Sequence, residues 1–316
     1  MNMIVSKKEK RNRGGFTLLE LLVVVAILAA VAGTASIALK DTDARASAAA
    51  HVTMMDELNK GIRTYRVLQR NELPSRFDSL LNTTAGTGAD GDDPGCLGFD
   101  IGDGCEIGTL TADVEAIMVD GGISELMYVD TTALPEGANA AAGLDCTAAN
   151  IKALIASRAN AVVAGNIFLP EAANGCGVAV ALDGSDGSGA RALFWTGGTT
   201  RLTGQPDPAD LDSDGNWAGT TSLYNADGNY AYLLTGIGPS CTLFDANTLG
   251  GMTTVPVYRH VKPDEYNRFI AVWNVGTYLS GAIVAGDQCE LVAIVDGALD
   301  TKEEELGEWD GTRNTI

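Results

Sequence analysis

GGFTLLELLVVVAILAAVAGTASIAL, residues 14–39, decides how the rest of the chain is read. From Phe16 to Leu39 it carries a single charge, Glu20. The uncharged part from Leu21 on is about 19 residues, enough at about 1.5 Å per residue to cross a hydrocarbon core of roughly 30 Å. Ahead of it, MNMIVSKKEKRNRGG holds Lys7, Lys8, Lys10, Arg11 and Arg13 against Glu9 alone. A basic flank of this kind stays on the cytoplasmic side, so the N-terminus is expected inside and everything after Leu39 outside. A secretory signal has a shorter apolar run with small residues at a cleavage site behind it. Here the small pair Gly14-Gly15 comes before the run, and a cut there leaves the helix in the protein.

Gly15, Phe16, Thr17, Leu18, Leu19, Glu20 and Leu21, in that order, resemble the prepilin signal of type IV pilins and type II secretion pseudopilins, G-F-T-L-x-E-L. The resemblance implies that a membrane prepilin peptidase removes residues 1–15, cutting after Gly15 and methylating the new amino terminus of Phe16. It further implies that Glu20 pairs with the Phe16 ammonium of a neighbouring subunit and so sets the assembly register. Read without the family, Glu20 still asks for an explanation, because a carboxylate costs roughly 2.5–3.5 kcal/mol at the centre of a membrane helix. A position at headgroup level, one turn into the helix, is the plainer account.

Apolar spacing continues past the membrane segment as Met54, Leu58, Ile62, Tyr65 and Leu68, with Asp56, Glu57, Asn59, Lys60, Arg63 and Arg66 between them. Steps of three and four mark one face of an amphipathic helix. No proline interrupts the chain near Gly33 or Asp41-Asp43, so one helix of about 54 residues, from about Thr17 to Arg70 and about 80 Å long, is expected. Residues 16–40 form its membrane part and 41–70 its amphipathic part. Pro74 is expected to end it, and Ser75 to cap a short helix after it.

Residues 71–316 read as a globular head. Apolar runs with β character occur at Ile123–Val129, Ala161–Leu169, Val178–Leu182, Ala192–Trp195, Tyr230–Leu234, Val255–Val261, Phe269–Val275 and Leu291–Val295, and helical patterns at Ala112–Val119 and Thr147–Ala159. Clusters of Gly, Asn, Asp and Pro between them favour an antiparallel sheet. The expected class is α+β: a long N-terminal helix packed against a mainly antiparallel sheet, with large insertions or a second subdomain. Lys302–Asp310 reads as an exposed acidic tail.

All six cysteines, Cys96, Cys105, Cys146, Cys176, Cys241 and Cys289, follow the membrane segment and would face an oxidising compartment, where up to three disulfides can form. Cys96 and Cys105 are the nearest pair in sequence. Zinc is disfavoured, with no C-x-x-C and only His51 and His260. Asp210, Asp212 and Asp214, followed by Gly215, match the opening of a calcium loop, D-x-D-x-D-G, but Thr221 stands where a bidentate Glu belongs. A looser calcium site is the functional reading, and a solvated acidic turn the structural one. The other acidic loops, at Asp183–Gly187 and Asp90–Asp93, read as solvated turns. No G-x-S-x-G, Walker or H-E-x-x-H motif is present, so no enzyme and no required cofactor are expected.

The chain has 316 residues and a formal charge of −20. Without the leader the charge becomes about −24, which argues against nucleic acid as a partner. The expected partners are copies of the chain, other pilins or pseudopilins, the prepilin peptidase, an inner-membrane assembly platform and membrane lipid. The expected role is a structural subunit of a type IV pilus-like or pseudopilus filament, held in the inner membrane with its head in the periplasm before assembly. A minor or tip subunit whose large head binds a surface or ligand is the alternative.

Overall fold

The computed structural model describes residues 18–82, 104–129, 177–182, 190–215, 225–245, 251–258, 266 and 268–310. The chain forms two compact units, Met1–Ser47 and Ala48–Ile316. Helix α1, Leu18–Leu68, is a single α-helix of 51 residues with no interruption at Gly33 or Asp41-Asp43. In the second unit it buries Ala48, His51, Met55, Leu58, Ile62 and Tyr65, an alternation of three and four residues that lines one face. Met55 rather than Met54 lies at the centre of that face, and Leu68 is exposed.

Pro74 is not what stops the helix. Arg70 and Asn71 take positive φ, 56° and 79°, the Asn71 amide donates to Arg66 O at 2.6 Å, and the Arg66 guanidinium donates to Asn71 Oδ1 at 2.7 Å. This is a Schellman-type end built without glycine. Ser75 caps no helix either. Its Oγ accepts from the amides of Ser124 and Glu125 at 3.0 and 3.1 Å, and the chain enters a strand instead.

The strands are β1 (Phe77–Asn82), β2 (Cys105–Thr109), β3 (Glu125–Val129), β4 (Gly177–Ala181), β5 (Arg191–Trp195), β6 (Tyr230–Gly236), β7 (Ile270–Leu279) and β8 (Ala282–Val295). Among the described residues they make one eight-stranded sheet in the order β2-β5-β6-β1-β3-β4, with β7 beside β6 and β8 beside β7. All pairs are antiparallel except β1 with β3. The class is therefore α+β with a long N-terminal helix. Helix α2 (Ala112–Asp120) opens on Thr111, whose hydroxyl accepts from the Val114 amide. Helices α3 (Thr199–Thr203) and α4 (Lys302–Asp310) and 3-10 turns at Pro208–Asp210 and Thr242–Phe244 complete the described elements.

β6 is the junction of the sheet. One of its edges pairs along its length with β7, while the other meets β5 at Leu233 and Leu234 and then β1 at Gly236. Fully buried Trp273, Trp195, Phe77 and Phe269 fill the core around it, with Phe77 edge-on to Trp273 at 5.4 Å. Each such side chain contributes about 1.5–3 kcal/mol by leaving water. The Trp273 indole donates to Thr235 Oγ1 at 2.7 Å, so its polar atom is satisfied.

Several expectations move. β1 lies where a capped helix is expected from the sequence, and β2 where no strand is. Val255–Tyr258 contains no strand, although Tyr258 is buried. Lys302–Asp310 is not a tail but helix α4, with Glu305 buried. The expected strand at Ala161–Leu169 and helix at Thr147–Ala159 lie outside the described residues, as do the acidic loops at Asp90–Asp93 and Asp183–Gly187.

Candidate functional site

Leu18–Ser36, 19 residues of α1, is long and apolar enough to cross a membrane, and none of it is buried. Leu18 and Leu19 are 82% and 72% exposed, far more apolar surface than water tolerates on a folded protein. The polar groups within it are already folded back. Thr34 donates to Ala30 O and Val31 O, and Ser36 donates to Ala32 O at 2.8 Å, which leaves no hydroxyl seeking water in lipid. Glu20 is the acid of the first turn, where the positive end of the helix dipole favours a carboxylate. Gly15 and Phe16 lie outside the described residues.

A second polar site lies under the amphipathic half of α1, entirely within the second unit. His51 Nδ1 stands 3.6 Å from Glu305 Oε2, and the Tyr258 hydroxyl donates to Glu305 Oε1 at 3.2 Å. The His51 and Tyr258 rings are 4.5 Å apart. Beside them is Asp296, fully buried, whose Oδ1 accepts from the amides of Ala298 and Asp300. Burial pushes its carboxyl up to about 9, with the adjoining Glu305 carboxylate adding to the rise. Glu305 moves the other way: burial would raise it, but hydrogen bonds from His51 and Asp296 outweigh burial and hold it low. Two acids in one dry site do not both ionise, and of this pair Asp296 is the one burial favours in the protonated form.

Around this core, Lys302 Nζ reaches both carboxylate oxygens of Asp56 at 2.6 and 2.7 Å. Arg201 forks onto Glu304 at 2.7 and 3.1 Å while its guanidinium lies 5.0 Å above the Trp195 ring. The cleft between these pairs has a volume of about 260 Å³ and is floored by Val292 and Ile294. Its charged walls already neutralise one another. Asp296 and Glu305 come from positions about 250 residues after His51, so no local spacing in the sequence brings them together.

A further buried carboxyl, Asp78 on β1, receives the Tyr266 hydroxyl on Oδ2 at 2.7 Å. Burial pushes it up to about 8, against the lowering effect of that hydrogen bond and of Arg268. The chain packs so closely here that a Cβ on Gly238 would run into the Asp78 carboxylate.

The acidic calcium-type loop is described as far as Gly215. Asp210 is buried at the end of a 3-10 turn, and Asp212 Oδ1 accepts the Asp214 amide at 3.0 Å, which fixes the bend ahead of Gly215 at φ 78°. Among the described residues no three His, Cys, Asp or Glu side chains are placed to hold a metal. Cys241 and Cys289 are buried and, among the described residues, stand outside any disulfide. Cys105 lies on β2; Cys96, Cys146 and Cys176 lie outside the described residues.

Residues 10–36 match the prokaryotic N-terminal methylation motif. With the apolar N-terminal helix, the match fits the prepilin signal of type IV pilins and pseudopilins. It covers the N-terminal segment, and the head lies beyond it. No curated protein and no solved structure matches the chain.

Proposed function

We propose that the chain is a structural subunit of a type IV pilus-like or type II secretion pseudopilus filament. The observation that carries this reading is Leu18–Ser36: an unburied apolar helix within a methylation motif, with Glu20 in its first turn. A prepilin peptidase cuts between Gly15 and Phe16 and methylates Phe16. The helix then holds the subunit in the inner membrane, N-terminus inside and head in the periplasm, until an assembly platform draws it into the filament. There the Glu20 carboxylate meets the Phe16 ammonium of the next subunit, and each charge cancels the other in a dry bundle where attraction is strong. The head acts in this role as a folded body, without a cofactor and without catalysis.

Mass spectrometry of the mature N-terminus tests the reading. N-methylated Phe16 in sheared filaments is the expected result, and an intact Met1 in the membrane fraction overturns it. A minor or tip subunit is the second reading, favoured by a head that runs from residue 71 to 316. Quantifying the chain against the other filament proteins separates the two: a major subunit dominates, whereas a tip subunit is present in trace.

A further inference from the structure

Helix α4, KEEELGEWD, brings little apolar surface of its own to the head, so its docking depends on polar contacts. Lys302 reaches Asp56 and Glu305 meets His51, both on α1, while Arg201 on α3 forks onto Glu304 and Tyr258 donates to Glu305. The outer pairs, at Lys302 and Arg201, lie partly open to water, where an ion pair contributes little. Of the described charged side chains of α4, Glu305 alone is buried. The docking of α4 therefore turns on Glu305 and what surrounds it.

The acid beside Glu305 also shapes the turn that leads into α4. Asp296 Oδ1 accepts from the amides of Ala298 and Asp300 at 2.9 and 2.8 Å, and the Asp296 amide donates to Asp300 O at 3.1 Å. Leu299, fully buried at φ 66°, pins the middle of this turn, in a left-handed backbone that leucine keeps only where its surroundings impose it. Movement of the chain here starts after Leu299, with α4. The other carboxyl oxygen, Asp296 Oδ2, is buried and accepts from no backbone amide among the described residues, and the Glu305 carboxyl and the Tyr258 hydroxyl adjoin Asp296. One carboxyl thus ties the turn and stands against the buried carboxyl of the docked helix.

The groups around this pair accommodate one negative charge better than two. Asp296 is faced by Glu305 on α4, by Asp300 in its own turn and by Tyr258 from the 251–258 segment, and His51 on α1 stands at Glu305. The neighbouring cations are engaged elsewhere: Arg201 with Glu304, Asp300 and Leu299 O, Lys302 with Asp56, and Arg268 with Val255 O and Pro256 O. Tyr266, whose backbone lies against Gly297, gives its hydroxyl to Asp78. We propose that α4 is a proton-controlled latch, docked on α1 while Asp296 carries its proton and lifted from Asp300 onward, with the sheet still folded, once Asp296 and Glu305 are both ionised. Release lets water reach both carboxylates and removes the cost of two like charges in a dry site, and it uncovers α1 at His51. A proton bound more tightly in the docked state favours docking at low pH and loses that advantage as pH rises. The equilibrium constant for release therefore grows about tenfold per pH unit until Asp296 ionises in the docked state, near 9. The latch belongs to the head and does not depend on the filament reading.

The test is hydrogen exchange of the full chain in detergent, read by mass spectrometry from pH 6 to 9 and corrected for the intrinsic pH dependence of amide exchange. The opening constant of the α4 amides is expected to rise about tenfold per pH unit, with α4 exchanging at pH 8 while β6 and β7 stay protected. Asp296→Asn keeps an oxygen for the two amides and cannot ionise, so it is expected to hold α4 equally protected across the range. Asp78→Asn, on β1, is expected to leave the slope of α4 as in the wild type. Opening of α4 that ignores pH, exchange of α4 only together with the sheet, or an unchanged slope in Asp296→Asn overturns the proposal. Should Asp296→Asn misfold, the wild type and Asp78→Asn decide: a slope of α4 that Asp78→Asn abolishes places the titration in the sheet and overturns the latch as well.

Discussion

His51 on α1 faces Glu305 on α4 across 3.6 Å, with both side chains only 3% exposed. Together with Lys302 on Asp56 and Tyr258 on Glu305, this fastens the C-terminal helix onto the amphipathic half of α1. The acidic segment near the C-terminus is therefore part of the head's scaffold. The contacts that hold it differ greatly in burial, and so in what their removal does.

Glu305→Ala is expected to destabilise the head by about 3 kcal/mol, because it strips a buried network of its central acceptor. Lys302→Ala should change stability by less than about 1 kcal/mol, since that pair is largely open to water. Thermal unfolding of the two variants in detergent, followed by circular dichroism, checks the contrast. Equal small shifts would show that α4 does not hold the head together.

Burial raises the carboxyls of Asp78 and Asp296 from the ordinary carboxylate range to about 8 and about 9. A raised carboxyl binds its proton more tightly in the folded state than in the unfolded one, so its contribution is full below about pH 4. As pH climbs the unfolded chain ionises first, and the contribution is lost progressively until the folded groups ionise near pH 8–9. Each group lowers stability by about 1.4 kcal/mol per pH unit in that window. Asp296→Asn is expected to flatten the decline, and Asp78→Asn to flatten it independently. Denaturant unfolding from pH 5 to 9 measures the slope; a pH-independent wild type would contradict the buried, protonated state of both residues.

Glu20→Gln is expected to leave cleavage and membrane insertion intact and to abolish filaments, because the neighbouring ammonium then enters the bundle without a counter-charge. Immunoblots of processed protein in membranes and in sheared filaments separate the two steps. Normal filaments from the variant would remove Glu20 from assembly.

Cys241 and Cys289 should resist alkylation in the folded chain. Burial pushes both thiols up, Cys289 to about 12, so almost no thiolate is present at neutral pH. Mass-labelling with iodoacetamide before and after denaturation is the measurement. Rapid labelling of either residue in the native state would show that its surroundings open.

The N-terminal 68 residues were legible because their signals are local. The methylation motif and the membrane run are each read from consecutive residues, and the helical spacing of Leu58, Ile62 and Tyr65 reports their burial directly. β5, β6 and β7 were legible for a similar reason: Arg191–Trp195, Tyr230–Gly236 and Ile270–Leu279 are apolar runs of strand length. β1 was not, since FDSLLN has no clean alternation, and Arg76 and Leu80 take positive φ of 60° and 64° that only its neighbours enforce. α4 was read as a tail because KEEELGEWD has almost no apolar face; its burial comes from partners on α1 and around Tyr258 rather than from its own pattern.

The sequence by itself determined the helix, its membrane-spanning part, the methylation motif and the place of Glu20, because each is a property of consecutive residues. Only the tertiary structure decided that Asp78 and Asp296 are buried, that Asp212 accepts the Asp214 amide, that α4 fastens onto α1, and that Tyr230, Leu279 and Val284 share an exposed face. Those properties arise from desolvation and strand register, which depend on groups brought together from distant positions in the chain.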